Sequence, residues 1–267
     1  MNSLKISVII PLYNAENTIE KCLDSVAIQK PNYEIEVIIV NDGSTDNSKN
    51  IVDSYIKKSN LNINFISQNN KGVSAARNMA IKMATGDFIA LIDSDDIWLE
   101  GKLHAQMEVF EKFDVDFVGT LHNNFNLGFP YKVNNNLIDV SFSKMMIKMA
   151  PSTITAVFKK SLIEKTGYYD EKQKHSEDAN LWLRFSKNGK MVIINKTFAI
   201  AGDFKPLYGH SGLSSNLLGM FQGEQKNLSD VLRLRYINKL EFIFFSTYIH
   251  LKYYQRLIIV KLRKPYV

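Results

Sequence analysis

The sequence predicts an α/β protein: a mixed, mainly parallel sheet flanked by helices, with a C-terminal helical extension. Three observations carry this. Apolar strand-like runs alternate with helix-like segments through the first 120 residues, the pattern of βαβ units. Polar and acidic residues gather directly after three of those runs, in "PLYNAEN", "NDGSTD" and "DSDD". From about Leu217 onward the chain reads as helices.

The elements follow in order. "KISVIIP" is a strand, and "AENTIEKCLDSVAI" a helix with apolar residues at helical spacing. "YEIEVIIV" is the second strand. "TDNSKNIVDSYIKK" is the second helix, with Ser44 or Thr45 as its N-cap. "INFISQ" is the third strand, and "VSAARNMAIKMA" the third helix, with Gly86 where a C-cap glycine would sit. "FIALID" is the fourth strand; "LEGKLHAQMEVFEKF" is a helix and "VDFVGTL" a strand. The character then changes. "HNNFNLGFPYKVNNN" is an Asn-rich loop or irregular hairpin. "STITAVFKKSLIEKTG" is a strand and a short helix, "EDANLWLRFSKNG" a helix closing at Gly189, and "KMVIIN" a strand. "KPLYGHSGLSSN" is a Gly/Ser-rich loop. Crossovers in such sheets are right-handed, and ligands bind beyond the carboxyl ends of the strands. The rim holding the three polar loops is therefore the expected site.

Composition bounds the function. The chain has 267 residues, 45% hydrophobic and 22% charged, ordinary for a globular protein with a sizeable core. One cysteine, Cys22, excludes an intrachain disulfide and a cysteine-based zinc site. The net charge of +6 is partly a property of the tail, where Lys252, Arg256, Lys261, Arg263 and Lys264 follow Leu251 with no acid among them. The opening apolar run is too short for a signal peptide, and no run approaches a membrane span. A cytoplasmic protein is expected. The basic, aromatic tail reads either as a helix pair packed on the domain or as a patch for an anionic membrane surface. With no accompanying motif, so short a basic stretch argues against a nucleic-acid partner.

Four constellations carry chemistry. Asp93, Asp95 and Asp96 crowd the end of the fourth strand. Hard oxygen donors suit Mg²⁺ or Mn²⁺, and Mg²⁺ takes one or two carboxylates and fills its shell with water and phosphate oxygens. An acidic turn is the bland alternative. An EF-hand is excluded because Trp98 stands where its loop requires glycine. Asp42 ends the second strand, where it would accept from a nucleobase N–H, although "NDGSTD" alone is also an ordinary turn. Arg77, on the first turns of a helix, suits an anionic phosphate. Glu177 and Asp178 open a helix, where the dipole favours acids regardless of function; the functional reading is a general base.

Together, "SVIIPLYNAENTIEKCLDSV", "IIVNDGSTDNS", "GVSAARNMAIKMATGDFIALIDSDD" and "EDANLWLRF" resemble the successive signatures of family-2 glycosyltransferases over roughly residues 4 to 190. The resemblance implies the GT-A fold, which is Rossmann-like. Residues 1–120 would form the nucleotide-sugar-binding half, 121–216 the acceptor-binding and catalytic half of the same domain, and 217–267 a helical basic tail. Pro11, Tyr13, Glu16 and Asp42 would surround the base and ribose, with Arg77 near the diphosphate. Asp95 would ligate a Mg²⁺ or Mn²⁺ ion directly, Asp93 would face the metal or ribose, and Asp96 would brace them. Asp178 would be the base, with Glu177 beside it. His210 reads either as a solvated loop histidine or as a third metal ligand. Trp182 reads as a core residue or a sugar platform.

The implied reaction is inverting transfer from a nucleoside-diphosphate sugar, UDP-linked, to a hydroxyl of a glycan or polyprenyl-linked acceptor in surface-polysaccharide assembly. The protein would then sit peripherally on the inner face of the plasma membrane. A sugar nucleotidyltransferase is the enzymatic alternative, but it needs a glycine-rich loop after the first strand, and the first glycine here is Gly43. A non-catalytic carbohydrate-binding module on a degenerate fold is the non-enzymatic one.

Overall fold

The computed structural model of the chain describes residues 4–29, 33–202 and 215–262. Its first half is regular. Strand β1 (Lys5–Leu12) leads to helix α1 (Ile19–Ala27), β2 (Glu34–Asp42) to α2 (Ser48–Lys58), and β3 (Asn62–Gln68) to α3 (Val73–Met83). Then come β4 (Phe88–Leu91), a two-residue β5 (Ile97–Trp98), α4 (Lys102–Lys112) and β6 (Phe117–His122). The second half holds the hairpin β7 (Val133–Asn134) and β8 (Leu137–Val140), α5 (Phe142–Ile147), β9 (Val157–Lys159), α6 (Lys160–Thr166), α7 (Glu177–Asn188) and β10 (Met191–Ile200). Helices α8 (Leu217–Arg233) and α9 (Lys239–Leu262) close the described chain.

One sheet runs through both halves in the order β3-β2-β1-β4-β9-β6-β10-β8-β7, with β5 added to the end of β10. The strands β3, β2, β1 and β4 are parallel, and so are β6 and β10. Strand β9 runs antiparallel to both neighbours and joins the two parallel blocks. The chain goes outward from β1 to β2 and β3, then returns to place β4 on the other side of β1. That reversal is a topological switch point, where α/β sheets open a crevice.

Alternation along β1 sets the layers. Ile6, Val8, Ile10 and Leu12 face α1, α2 and α4, packing with Leu23, Val52, Leu103 and Met107. Ile9 faces the other layer, which continues through Ala76, Ala80 and Ile81 of α3 to α7 and α8. Trp182 belongs to that core: it is fully buried, with Phe117 at 5.1 Å and Phe185 at 5.3 Å between ring centroids. It is not a sugar platform.

Two local expectations are corrected. The N-cap of α2 is Asn47, not Ser44 or Thr45. Those two residues instead join the first loop: Asn14 N donates to Ser44 Oγ at 3.0 Å, and Thr45 N donates to Asn14 Oδ1 at 2.8 Å. Gly86 does not cap α3, whose C-cap is Ala84. Glycine is needed there for a close approach, since a Cβ would lie 2.6 Å from Ser7 Oγ and 2.8 Å from the Lys5 carbonyl. The Asn-rich stretch does form a hairpin, with Asn135 and Asn136 turning at φ 46° and 63°, a conformation asparagine tolerates better than most residues. His210 lies outside the described residues.

Candidate active site

The carboxyl ends of β1, β2 and β4 open into a cleft of about 910 Å³. Pro11, Tyr13, Asp42, Arg77, Asp93, Asp95, Glu177 and Asp178 line it, so the structure brings together residues spread over more than 160 positions. Glu16 stands outside that lining. Its Oε2 accepts from Asn47 N at 2.8 Å, and its own N–H donates to Asp46 Oδ2 at 3.0 Å. Glu16 thus fastens the first loop to the start of α2.

Asp42 is buried and already well engaged. Oδ1 accepts from Gln68 Nε2 at 2.6 Å and Lys71 N at 2.8 Å, and Oδ2 accepts from Gly72 N at 2.8 Å. These bonds hold the entry to α3 against the end of β2. Gly72 sits at φ +91° with ψ 161°, a region essentially reserved for glycine.

At the centre is Arg77. Nη2 donates to Asp93 Oδ1 at 2.7 Å and Nη1 to Glu177 Oε1 at 3.0 Å. The side chain is 5% exposed, so the guanidinium is a fixed interior charge tying β4 to α7. Burial works against that charge, but Asp93, Tyr169 and Glu177 around it outweigh burial and raise its pKa. For Glu177, burial and then the adjacent Asp178 push the carboxyl up to about 7, with Arg77 opposing them.

The end of β4 divides its aspartates. Asp95 is exposed, whereas Asp96 is buried and its Oδ1 accepts from Gly202 N at 2.8 Å. Among the described residues no cluster of three or more His, Cys, Asp or Glu side chains forms a metal cage. A site of one or two carboxylates needs none, because water and substrate phosphates complete the shell of Mg²⁺. Asp95 with Asp93, whose Oδ2 lies outside the Arg77 pair, is a donor set that fits such an ion.

Asp178 faces the cleft from the first turn of α7, and Thr153 Oγ1 donates to its Oδ2 at 3.0 Å. The turn that presents it is strained: Ser176 has φ 56° and ψ 31°. A buried amide network holds it. Gln173 Nε2 donates to the carbonyls of His175 and Ser176, and Asn227 Nδ2 of α8 donates to the Ser176 carbonyl at 2.9 Å. Asn227 Oδ1 in turn accepts from Gln173 and Asn180. Helix α8 approaches very closely at Gly219 and Gly223, where a Cβ would lie 2.4 Å from His175 Nε2 and 2.2 Å from the His175 carbonyl. Sequence reasoning missed Thr153, His175, Ser176 and Asn227. Their partners lie far off along the chain, and only the adjacency of Ser176 to the Glu-Asp pair offered a local signal. Arg184, on the same helix, donates to the carbonyls of Thr166, Gly167 and Tyr168 and is a structural tie.

The switch-point cleft thus holds two acids just after β4 and a carboxylate on a strained helix start. Residues 7–170 match the family described as Glycosyl transferase family 2. The chain belongs to that family and has its GT-A fold, so the nucleotidyltransferase alternative falls away. An uncharacterized glycosyltransferase of Rickettsia conorii, RC0461, is 30% identical over 73% of this chain, which spans only 32% of that relative's length. The Escherichia coli UDP-Glc:alpha-D-GlcNAc-diphosphoundecaprenol beta-1,3-glucosyltransferase WfgD is 30% identical, covering 81% of this chain and 82% of its own. Among solved structures, Staphylococcus aureus TarS 1-349 has a TM-score of 0.67 at 25% identity, covering 86% of this chain and 66% of that one. Mannosyltransferase PcManGT from Pyrobaculum calidifontis, in complex with GDP-Man and Mn²⁺, shares the fold with a TM-score of 0.69 at 18% identity, over 95% of this chain and 72% of that one.

Proposed function

We propose that this glycosyltransferase moves a sugar from a UDP-sugar, with inversion, to a hydroxyl of a lipid-linked glycan acceptor. The observation that carries this reading is the position of Asp178: in the same cleft as Asp93 and Asp95, fixed by Thr153, on a clamped turn. The donor nucleotide lies along Pro11, Tyr13 and Asp42, with its diphosphate toward Asp93 and Asp95. Those two carboxylates would hold Mg²⁺ or Mn²⁺, which supplies neutralisation of the charge on the diphosphate. The acceptor oxygen attacks the anomeric carbon from the side opposite the diphosphate. A new C–O bond forms, the carbon–phosphate-oxygen bond breaks, and its electron pair leaves with UDP. The acceptor proton passes to the Asp178 carboxylate. Glu177 and Arg77 act behind it, keeping the buried charge balanced.

The acceptor class is supported by the lipid-diphosphate acceptor named for the E. coli relative. Among the described residues no helix is long and apolar enough to cross a membrane. Helix α9 does expose Leu240, Ile243, Phe244, Leu251, Tyr254 and Ile258 along one side, an apolar face that would suit contact with a lipid surface. A peripheral position on the inner face of the plasma membrane is part of this proposal.

Asp178→Asn tests the reading. UDP-sugar binding with Mn²⁺, read by calorimetry, stays intact, while transfer falls about 10²–10⁴-fold, the usual contribution of a general base. Normal turnover in this variant removes Asp178 as the base. Asp95→Asn abolishes the Mn²⁺-dependent part of UDP-sugar binding; unchanged binding removes the metal assignment.

A further inference from the structure

A second cavity, of about 380 Å³, opens off the cleft. The two share His122, Ser152, Ser176, Asp178 and Met220, so Asp178 stands at their junction. Much of the second wall is soft and apolar: Met145, Met146, Met149 and Met220, with Leu183 and Ile249. Methionine is the side chain that best moulds itself to a flexible apolar guest.

Three cations stand in this apolar wall: Lys148, Lys252 and Arg256. Arg256 Nη2 donates to Glu224 Oε1 at 2.7 Å. Lys148 donates to the Leu127 carbonyl and lies 5.0 Å from the centroid of the Phe125 ring. Lys252 lies 5.4 Å from the centroid of the Tyr248 ring, and among the described residues no carboxylate is within ion-pairing distance of it. Burial lowers its pKa; Glu224 opposes this, while the like charges of Arg256 and Lys148 add to it. Lys252 is thus a largely buried cation with no carboxylate partner among the described residues, an arrangement that an anion relieves.

These cations are not part of the exposed side of α9. On a 3.6-residue period, Ile249, Lys252 and Arg256 fall opposite Leu240, Leu251 and Ile258. Two of the five basic residues of the tail are thus turned inward to the cavity. Lys261 is exposed, and Arg263 and Lys264 lie outside the described residues.

We propose that this cavity is the port of the lipid-linked acceptor: its phosphate lies against Lys252 and Arg256, the first carbons of its chain lie among the methionines, and its sugar hydroxyl reaches Asp178. The assignment rests on the transferase reading, in which Asp178 takes the proton from that hydroxyl. It makes the C-terminal helix part of the acceptor site. It also explains why a cavity lined by methionines carries phosphate-binding charge.

Farnesyl diphosphate serves as the probe, titrated by calorimetry into the full chain, with inorganic pyrophosphate and farnesol as its separate halves. The intact probe binds more tightly than either half, and saturating UDP with Mn²⁺ does not displace it. Lys252→Gln weakens it by about tenfold, as expected for losing one charge-assisted contact. Met149→Trp, which fills the apolar end, weakens it while leaving pyrophosphate unchanged. UDP binding is the same in both variants, which also reports that they fold. Equal affinity of Lys252→Gln and the unaltered chain overturns the proposal, and so does displacement of the probe by UDP, which would put it in the donor cleft. Failure of the transferase reading looks different: UDP-sugar binding would be missing in the unaltered chain, while the farnesyl diphosphate titration would still report on the cavity.

Discussion

The rim proposed to hold the donor and the turn that presents Asp178, the proposed base, are both held by polar contacts, but of different kinds. At the rim, the first loop is joined to the second through bonds between residues 30 or 31 positions apart: Asn14 N to Ser44, Thr45 N to Asn14, and Asn47 N to Glu16. All three are exposed and join backbone N–H groups to side chains. The catalytic turn is held by buried amides reaching 47 to 54 positions along the chain, from Gln173 and Asn180 to Asn227 and from Asn227 to Ser176. Exposed loop bonds let a rim adjust to its ligand. A buried network of linked amides restricts the turn it holds far more than exposed loop bonds do, even with Gln173 Oε1 left unpartnered. The proposed base therefore depends on the C-terminal extension, whereas the proposed donor site depends on its own loops.

The sharpest way to break this contrast is at Arg77, where the two regions meet. Arg77→Met leaves Asp93 and Glu177 without their shared cation, and Glu177 is buried. Removing one partner of a buried ion pair costs about 3–5 kcal/mol. A large fall in the denaturation midpoint, with loss of both donor binding and transfer, is expected. If only donor binding suffers and stability holds, Arg77 is a diphosphate contact and not the tie between β4 and α7.

Two glycines sharpen the comparison next. Gly223→Ala drives a methyl group into the His175 carbonyl, which is backbone and cannot swing aside. Overpacking of this sort costs about 1–3 kcal/mol. Because α8 must back away from the turn, the turnover number falls while the affinity for UDP-sugar is retained. Gly72→Ala meets nothing within 4 Å, so its penalty is purely the backbone conformation at φ +91°, about 1–3 kcal/mol. Here the affinity falls and the turnover number holds, because Gly72 N anchors Asp42. Matching kinetic defects in the two variants would mean that the regions are not separable.

The same contrast explains what could be read from the sequence. The parallel strands, the rim loops and the acidic end of β4 were legible because each is a local pattern: an apolar run, a turn signal, then polar residues. Glu177 and Asp178 were visible as a pair. Nothing local showed that Glu177 would meet Arg77 100 positions away, or that Thr153 would hold Asp178. The caps misled for the same reason. Ser44 and Thr45 have the right chemistry for an N-cap, but Asn14, brought alongside by β1, took them. Gly86 has the right placing for a C-cap, but Ser7 on the neighbouring strand is what forbids a side chain there.

The smallest effect tests the electrostatics of the turn. The Glu177 carboxyl, pushed up to about 7 by burial and by Asp178 against the pull of Arg77, keeps its proton in the folded protein over a range where the unfolded chain, at the ordinary value of 4.5, has released it. The folded state binds more protons between those values, so stability falls as pH rises through them. From about pH 6 to about pH 8 this group alone removes about 1 kcal/mol. Glu177→Gln keeps an oxygen for Arg77 and does not titrate, so its denaturation midpoint falls less over that interval than that of the unaltered chain. The difference between the two pH profiles isolates the group from every other titration. If the profiles run parallel, Glu177 is ionised throughout, and Arg77 outweighs both burial and the neighbouring Asp178.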